Sequence, residues 1–583
     1  MSPSNAKHTL LKDHKMPRQN VSKNKAIAYT IHLPVLILVL ILATSSALCL
    51  SFYYGVSPIS GSDNYIYSSN AAQLLSKGFA SLNGGGVLST KYIIIFGEAL
   101  FMYILGPNSF SVALFAILCA LVTMVALYII GSELYGVKTG LLAAAFYGFV
   151  PIVIVQASNA GDDVPMALFA TLSVMFLVLG IKRKKHSGYF YLLSGFMAVI
   201  GSLAVGEELI IFVFIALFLF WRVLRNFSKG EILKIAAFFL GAFAAGLLIM
   251  FLGYVQSGNP FYVYNTSSSW YSTTYCGSPS WDPSGCALAS TTFFRDYLGM
   301  MFPYMVTSKL ATALTSHSVL SEQLLASLIN PAAATSDYGY QFGYYFYLAA
   351  LFSIILLALR DKRILFPLAW FAATILYLSF GTMSVSNYIR ISPVFDRFLI
   401  LLLPSIALII ALGLTRIIEF AIKGNSRKAP ANKARIILGY STFAVITAAL
   451  LIESSFLIMY LEYSWYNNVY PIVQTGVFIE SLPQNAQVLT PIQIPIQQYS
   501  DFRQISDYIN EYGATCGQIP NNSYVVYLLN ATFQSECNLT IAFYPQQPPS
   551  WLLNYSLYKS QFLNFSEIRV YYKNSTITKR IPI

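Results

Sequence analysis

The sequence predicts an α-helical membrane protein that crosses the bilayer about eleven times. Hydrophobic residues make up 56% of the 583 residues and charged residues 10%, and the mean hydropathy is +0.60, values that a water-soluble chain of this length would not tolerate. Most of the apolar runs are close to the roughly 20 residues needed to cross a bilayer. The predicted spans are 27–53, 109–130, 139–157, 164–181, 188–204, 207–221, 235–255, 342–359, 364–381, 398–415 and 436–460.

The charged residues are sorted between the two sides of this predicted bundle. If residues 1–26 are cytoplasmic, the loops on that side hold 24 of the 36 Lys and Arg but only 5 of the 24 Asp and Glu, a net charge of +19 against −7 outside. Positive loops are retained on the cytoplasmic side. We therefore expect a multi-pass cell-membrane protein with a cytoplasmic N-terminus and an extracytoplasmic C-terminus. The basic cytoplasmic loops account for the net charge of +12, so nucleic acid is not an expected partner.

The chain is predicted to have three parts: a basic N-terminus (1–26), a transmembrane domain (27–460) and a small extracytoplasmic domain (461–583). The last part alternates β-prone runs with a polar helical stretch near 501–512, which predicts an α/β fold. Its position outside agrees with six Asn-x-Ser/Thr acceptor sequences, which begin at Asn521, Asn530, Asn538, Asn554, Asn564 and Asn574.

Two outer loops of the transmembrane domain are also long, 54–108 and 256–341. The apolar segment 92–106 within the first loop is short and contains Glu98, so we expect it to lie along the outer interface.

The six cysteines divide by environment. Cys49 and Cys119 fall in apolar spans, where a thiol behaves as a small hydrophobic group. Two local disulfides are predicted in the oxidising exterior, one within a loop and one within the tail: Cys276 with Cys286, and Cys516 with Cys537. No Cys or His grouping has metal-ligand spacing, so no metal site is predicted from these residues.

Three aspartates are predicted at the outer surface. Asp63 follows the first span, where it could cap a helix or serve as a general base. Asp162 and Asp163 precede a span that has Pro165 in its first turn, as in an ordinary helix N-terminus. Because adjacent carboxylates repel each other, a divalent cation or the hydroxyls of a sugar would also suit them.

Basic residues on the same side could bind an anion. Arg390 and Arg397 flank the outer end of a predicted span, and Lys91 ends the first outer loop. One interpretation is that the arginines extend to the interface along the apolar surface. The other is a phosphate clamp, for which the guanidinium group is suited. Glu207 and Glu208 either join these basic residues at the site or form a solvated turn.

Short motifs across residues 27–420 resemble one known family. They are Asp63 followed by Tyr65 and the helix 71–78, Lys91 with 105–114, 135–145, Asp162–Asp163, 258–261, and 396–399 with Pro404. Together they are similar to the C-type glycosyltransferase superfamily, in particular to the protein O-mannosyltransferases, the aminoarabinose transferases and their archaeal and bacterial relatives.

The resemblance implies a polyprenyl- or dolichyl-phosphate-linked sugar donor and an inverting transfer on the outer face, with Asp63 as the catalytic acidic residue of the first loop. The family often has Lys or Arg near the outer start of the sixth span, where this chain has Gly206-Glu207-Glu208. The phosphate contacts or the sugar are therefore expected to differ. The Trp-Trp-Asp-Tyr-Gly motif of the related oligosaccharyltransferases is absent from the sequence, so en bloc transfer to Asn-x-Ser/Thr is not expected.

The sequence thus predicts a membrane glycosyltransferase, of archaeal type, that acts on a glycan, lipid or protein acceptor. Asp63 would be the general base; Lys91, Arg390 and Arg397 would hold the donor phosphate; and Tyr65, Asp162, Asp163 and Glu208 would contact the sugar or acceptor. The alternatives are a transporter, which would place charges near the bilayer midplane and show repeated halves, and an oligosaccharyltransferase-like enzyme without its motif.

The predicted topology is testable by cysteine labelling. Single cysteines placed near residues 184, 361 and 428 should be protected from an impermeant reagent, and one near 550 should react, because the charge distribution puts them on opposite sides. Labelling of positions 184 and 550 from the same side would show that the predicted number of spans is wrong.

Overall fold

The computed structural model has a mostly helical chain followed by a small sheet. It describes residues 20–56, 62–83, 86–183, 185–204, 206, 209–274, 339–380, 400–423, 441, 448 and 452, together with strands between 487 and 573. The helices in the described part are α1 (Asn20–Val56), α2 (Ser62–Lys77), α3 (Tyr92–Leu105), α4 (Ser109–Tyr135), α5 (Val137–Gly148), α6 (Pro151–Ser158), α7 (Asp163–Lys182), α8 (Ser187–Ile200), α9 (Leu209–Arg225), α10 (Lys229–Ser257), α11 (Tyr262–Thr274), α12 (Gly339–Ala358), α13 (Leu365–Phe380) and α14 (Leu403–Lys423).

Several of these helices are long and apolar enough to cross a membrane. Five segments in the described part meet that condition by length and composition, and a bent helix pair raises the number to six. The five are Pro34–Tyr54, Ser109–Tyr135, Asp163–Lys182, Lys229–Ser257 and Ile400–Glu419. The predicted multi-pass helical membrane fold is confirmed. Ten of the eleven predicted ranges coincide with helices, while 436–460 lies largely outside the described residues, so the number eleven stays a prediction.

The predicted span 139–157 is not one continuous helix. It consists of α5 and α6, which are bent by 59° at a short break. Pro151 is the first residue of α6, and Val150 before it is extended, with φ −68° and ψ 123°. Proline has no amide hydrogen to donate and disfavours the helical conformation in the preceding residue, which ends α5 at this point.

Helix α3 is too short to be counted among the spans. Its 14 residues extend about 21 Å, less than the ~30 Å of a bilayer core. Leu100 and Tyr103 are exposed on one face, and Tyr92, Ile95 and Glu98 are buried on the other. The helix therefore has a side that packs against the bundle and an apolar side that faces away from it.

Glycines allow α8 and α10 to pack with their backbones in close contact. A methyl group on Gly195 of α8 would lie 1.9 Å from the carbonyl oxygen of Phe238, and one on Gly241 of α10 would lie 1.9 Å from that of Leu192. Close approach at small residues is a common way for membrane helices to gain packing contacts. Both helices also pack against α3, since Tyr92 of α3, Ile200 of α8 and Ala245 of α10 lie in one buried cluster.

The C-terminal part contains a mixed sheet. Its strands are β1 (Gln487–Leu489), β2 (Ser523–Leu529), β5 (Ser556–Leu563) and β6 (Ser566–Lys573), and a separate short pair consists of β3 (Phe533–Gln534) and β4 (Thr540–Ile541). The order is β1-β2-β6-β5, with β1 parallel to β2 and the other pairs antiparallel. Strands β1, β2 and β6 coincide with runs that the sequence marks as β-prone. The boundaries of an α/β domain at 461–583 and its position outside the membrane stay predictions.

The glycine contact predicts a large difference between two alanine substitutions. Gly195→Ala should lower the free energy of unfolding by about 1–3 kcal/mol, because a backbone carbonyl occupies the space of the new methyl group. Gly246→Ala is the matched control in α10, since nothing lies within 4 Å of its added carbon. Denaturant-induced unfolding in detergent measures both. Equal stability of the two variants would contradict the close packing.

Candidate active site

Helix α2 is joined to the turn between α6 and α7 by two buried hydrogen bonds. The Tyr67 hydroxyl donates to Oδ2 of Asp162 at 3.1 Å, and Nδ2 of Asn64 donates to the carbonyl oxygen of Asn159 at 2.7 Å. All four residues are buried. A hydrogen bond to a charged acceptor stabilises more than a neutral one. We call these two bonds the α2–α7 clamp.

The turn that carries Asp162 is held in an uncommon backbone conformation. Ala160 has a φ of 55°, in the left-handed region that non-glycine residues rarely adopt. An added carbon on Gly161 would lie 2.3 Å from Oε1 of Gln156 and 3.0 Å from its carbonyl oxygen, so a larger residue there would displace the Gln156 side chain. The Ser158 hydroxyl donates to the Cys49 carbonyl oxygen of α1 at 2.8 Å. Strained turns of this kind persist where surrounding contacts over-determine them, and they cluster at functional sites.

The carboxylate of Asp162 is directed toward α2 and not toward the start of its own helix. Asp162 is the N-cap residue of α7, yet its side chain makes no capping hydrogen bond. It accepts from Tyr67 instead. Asp163, the first residue of α7, is 0% exposed. The interpretation of Asp162 as an ordinary helix cap therefore does not fit its geometry.

Asp63 lies on the same side of α2 as the clamp. It is the second residue of that helix and half-buried, four residues before Tyr67. Residues four apart are neighbours on a helix surface. The position in the first turn also suits a negative charge because of the helix dipole. Asp63 is thus carried by the helix that the clamp attaches to Asp162.

Lys91 provides a buried positive charge immediately before α3. It is 9% exposed, and within the described residues its side-chain amine forms no ion pair or hydrogen bond. Its neighbour Tyr92 donates to Oε1 of Gln256, and Nε2 of Gln256 donates to the Leu82 carbonyl oxygen at 2.9 Å. The chain around Lys91 is therefore fastened to the end of α10. A held cation without a carboxylate partner is suited to bind an anion.

A further acid, Glu98, lies in α3 near the clamp. It is 1% exposed, and it lies close enough to Ser68 and Asp162 for both to affect its pKa. Glu98 is seven residues after Lys91, so about 10 Å of helix separates the two positions. The acids of α2 and α7 and the lysine are therefore carried by three elements that pack together: α2, α3 and the α6–α7 turn.

Not every predicted site residue falls in the described part of the chain. Asp63, Lys91, Asp162 and Asp163 do, and Tyr65 lies on α2 with only its backbone described. The others lie outside the described residues: Glu208, Arg390, Arg397, Cys276, Cys286, Cys516, Cys537, Asn521, Asn530, Asn538, Asn554, Asn564 and Asn574.

The sequence interpretation missed Asn64, Tyr67, Asn159 and the burial of Glu98. The spacing of Asn64, Tyr67 and Ser68 along one side of α2 is the pattern that could have identified the first two. In the described part, no group of three or more His, Cys, Asp or Glu residues could hold a metal ion.

Known proteins resemble this chain in sequence over part of its length and in fold over most of it. Residues 92–252 match the family model described as dolichyl-phosphate-mannose-protein mannosyltransferase. The fold is similar to that of ArnT from Cupriavidus metallidurans bound to undecaprenyl phosphate, with a TM-score of 0.55 and 11% identity over 91% of this chain and 97% of that chain. Residues 92–252 thus resemble a mannosyltransferase family, and the fold resembles that of ArnT. The resemblance that the motifs of this chain predict is confirmed.

A second solved structure is more distant. The Archaeoglobus fulgidus oligosaccharyltransferase in complex with Zn and sulfate has a TM-score of 0.46 and 12% identity over 83% of this chain and 67% of that chain. No curated protein matches the sequence significantly.

The clamp predicts unequal effects of two Tyr→Phe substitutions in this protein. Tyr67→Phe should lower the free energy of unfolding by about 1.5–3 kcal/mol, because it removes the donor to a buried carboxylate. Tyr53→Phe removes a partly buried bond between the Tyr53 and Ser109 hydroxyls and should cost about 0.5–1.5 kcal/mol. Unfolding in detergent gives both values. A smaller loss for Tyr67→Phe than for Tyr53→Phe would rule out the clamp.

Proposed function

We propose that this enzyme moves a single sugar from a polyprenyl- or dolichyl-phosphate donor to a glycan, lipid or protein acceptor on the outer face of the membrane. The observation that carries the proposal is the α2–α7 clamp, which attaches the helix of Asp63 to the turn of Asp162 and Asp163. The mannosyltransferase family match and the lipid phosphate bound to ArnT agree with such a donor. A polar site at the membrane surface suits a lipid-linked donor, because the lipid chain can stay in the bilayer while the sugar phosphate reaches the site.

The reaction would be one in-line displacement with inversion. The oxygen of an acceptor hydroxyl attacks the anomeric carbon, and Asp63 takes up the hydroxyl proton as the general base. The bond between the anomeric carbon and the donor phosphate oxygen breaks, and its electron pair leaves with the phosphate. Lys91 then stabilises the charge that develops on the leaving phosphate.

The remaining acids would position the sugar. Ionised carboxylates accept hydrogen bonds, so Asp162 and Asp163 suit the hydroxyls of a sugar ring. Tyr65 and Glu208 are proposed as further contacts to the sugar or acceptor, and Arg390 and Arg397 as further contacts to the donor phosphate. Two adjacent carboxylates are fewer ligands than Mg²⁺ or Ca²⁺ normally takes, so a cation near Asp162 and Asp163 would need donors from substrate or water. No step here depends on one.

The parts of the chain have separate proposed tasks. Residues 27–460 would hold the donor and carry out transfer, and residues 461–583 would form an extracytoplasmic domain beside the acceptor. This sidedness is supported by the charge difference between the loops and by the six acceptor sequences in the tail. A transporter gains no support, because the matching family is a transferase.

Asp63→Asn tests the proposed base. The substitution keeps the size of the side chain but removes proton acceptance, so transfer should fall about 100-fold or more while the amount of folded protein is unchanged. Membranes with equal amounts of each variant are assayed for transfer from dolichyl-phosphate-mannose. Glu133→Gln is the matched control, because Glu133 lies in the last turns of α4, paired with Arg183 and predicted to be cytoplasmic.

Lys91→Met in the same assay separates donor binding from base catalysis. It should raise the donor KM about 10-fold or more, since it removes the positive charge proposed to hold the phosphate. Wild-type turnover by Asp63→Asn would overturn the assignment of the base. Equal loss in Glu133→Gln and Asp63→Asn would show that neither effect is specific to the site.

A further inference from the structure

Gln256 is a buried amide that joins the end of α10 to the chain on both sides of a glycine run. It is the penultimate residue of α10 and is buried. Its Nε2 donates to the carbonyl oxygen of Leu82 at 2.9 Å and to Oγ of Ser89 at 3.3 Å. Its Oε1 accepts a hydrogen bond from the hydroxyl of Tyr92. We call these three hydrogen bonds the Gln256 bridge.

The Gln256 bridge holds a part of the chain that its own sequence does not order. Leu82 ends one 3₁₀ turn and Ser89 lies in the next. Residues 83–86, one asparagine and three glycines, separate them. Glycine loses more backbone freedom on folding than any other residue, so a glycine run does not by itself fix the chain that follows it. Lys91 follows this run, two residues after Ser89 and directly before Tyr92.

The partners of the bridge require an amide at position 256. The Leu82 carbonyl oxygen can only accept, so the group that faces it must donate. Burial raises the pKa of Tyr92, so its hydroxyl keeps its proton and donates. The Ser89 hydroxyl gives its own proton to the carbonyl oxygen of Gly86 at 2.8 Å, so it meets Nε2 as an acceptor. A glutamate at this position would place a second acceptor against the Leu82 carbonyl.

The helix that supplies Gln256 is itself packed in the bundle. Gly241 of α10 lies in close backbone contact with α8, and Ala245 shares a buried cluster with Tyr92. Tyr92 is therefore held by α10 through apolar packing and through a hydrogen bond to a residue 164 positions away in the chain. The position of Lys91 relative to the bundle depends on this connection, because the glycine run precedes it.

We infer that the Gln256 bridge positions Lys91 for the donor phosphate, so that Gln256 is a positioning residue of the transfer reaction. The inference deepens the proposed function, on which the role of Lys91 rests. Gln256 does not touch the donor in this role, since both ends of its amide are hydrogen-bonded to the protein. Loss of the bridge should therefore weaken donor binding more than it slows transfer.

Kinetics at varied donor concentration test this role. Gln256→Leu should raise the KM for dolichyl-phosphate-mannose about 5-fold while kcat stays within about twofold of wild type. Gln256→Glu keeps the size and the acceptor for Tyr92 but not the donor, so it should raise donor KM about as much. Ser89→Ala removes one bond of the bridge and should raise donor KM about threefold. Gln256→Leu combined with Lys91→Met should raise donor KM no further than Lys91→Met alone, because both act through the same charge.

Thr139→Val is the matched control for lost stability. It removes a buried hydrogen bond between the hydroxyls of Thr139 and Thr415, at 3.1 Å, which joins α5 to α14. Neither helix carries Lys91 or the bridge. The variant should lower the melting temperature in detergent and leave donor KM unchanged, which separates a less stable protein from one with a displaced lysine.

Hydrogen exchange tests the bridge without any substrate. The amide of Ser89 donates to the carbonyl oxygen of Gly86 at 3.2 Å, and those of Ile94 and Ile95 donate to the carbonyl oxygen of Lys91 at 3.1 Å. Without the bridge this segment should open more often, so its amides should exchange about 10-fold faster in Gln256→Leu than in wild type. Thr139→Val should exchange there as wild type does.

The outcomes are distinguishable. Donor KM within twofold of wild type in folded Gln256→Leu would overturn the inference, as would an equal rise in Thr139→Val or a further rise in the double variant. If Gln256→Leu does not fold, Ser89→Ala and Gln256→Glu decide, and unchanged donor KM in both would overturn it. If wild type transfers no sugar from dolichyl-phosphate-mannose, the proposed donor fails. Exchange near Lys91 then still decides the bridge, because wild-type rates in Gln256→Leu, or in Ser89→Ala if that variant alone folds, would overturn it.

Discussion

The candidate site depends on one contact, the α2–α7 clamp. Tyr67 and Asn64 belong to α2, and Asp162 and Asn159 belong to a turn that follows them by 95 residues. Without the two hydrogen bonds, Asp63 and Asp162 would be carried by separate surface segments. With them, the acids have fixed relative positions, which electrostatic catalysis requires because charges must be arranged before the reaction begins.

The turn that forms the α2–α7 clamp has two features that cost free energy, and hydrogen bonds to neighbouring helices stabilise it. Asp162 and Asp163 are buried together at the start of α7, and Ala160 is held in a left-handed conformation. Both features cost free energy. They are tolerated because the Ser158 hydroxyl holds the turn to α1 and because Tyr67 and Asn64 of α2 donate to the turn. The chemistry proposed for the outer face thus depends on packing within the membrane domain.

Much of the fold could be predicted from the sequence, because hydrophobic length and periodicity are local properties. Helices such as α4 and α7 lie where their apolar runs predict them. The break at Pro151 was missed, although proline is a known reason for one. Asp63, Asp162, Asp163 and Lys91 were chosen from charge and motif. Their arrangement was not predictable in this way, since the contact of Tyr67 with Asp162 and the burial of Glu98 depend on residues distant in the chain.

The proposed function makes a direct prediction of where the donor phosphate binds. A cryo-EM map of the protein in lipid nanodiscs with dolichyl phosphate would test it. Phosphate density should lie within hydrogen-bonding distance of Nζ of Lys91, at the end of the bundle where α2, α3 and the α6–α7 turn meet. Phosphate density at the basic loop near residues 182–185, with none beside Lys91, would contradict the account.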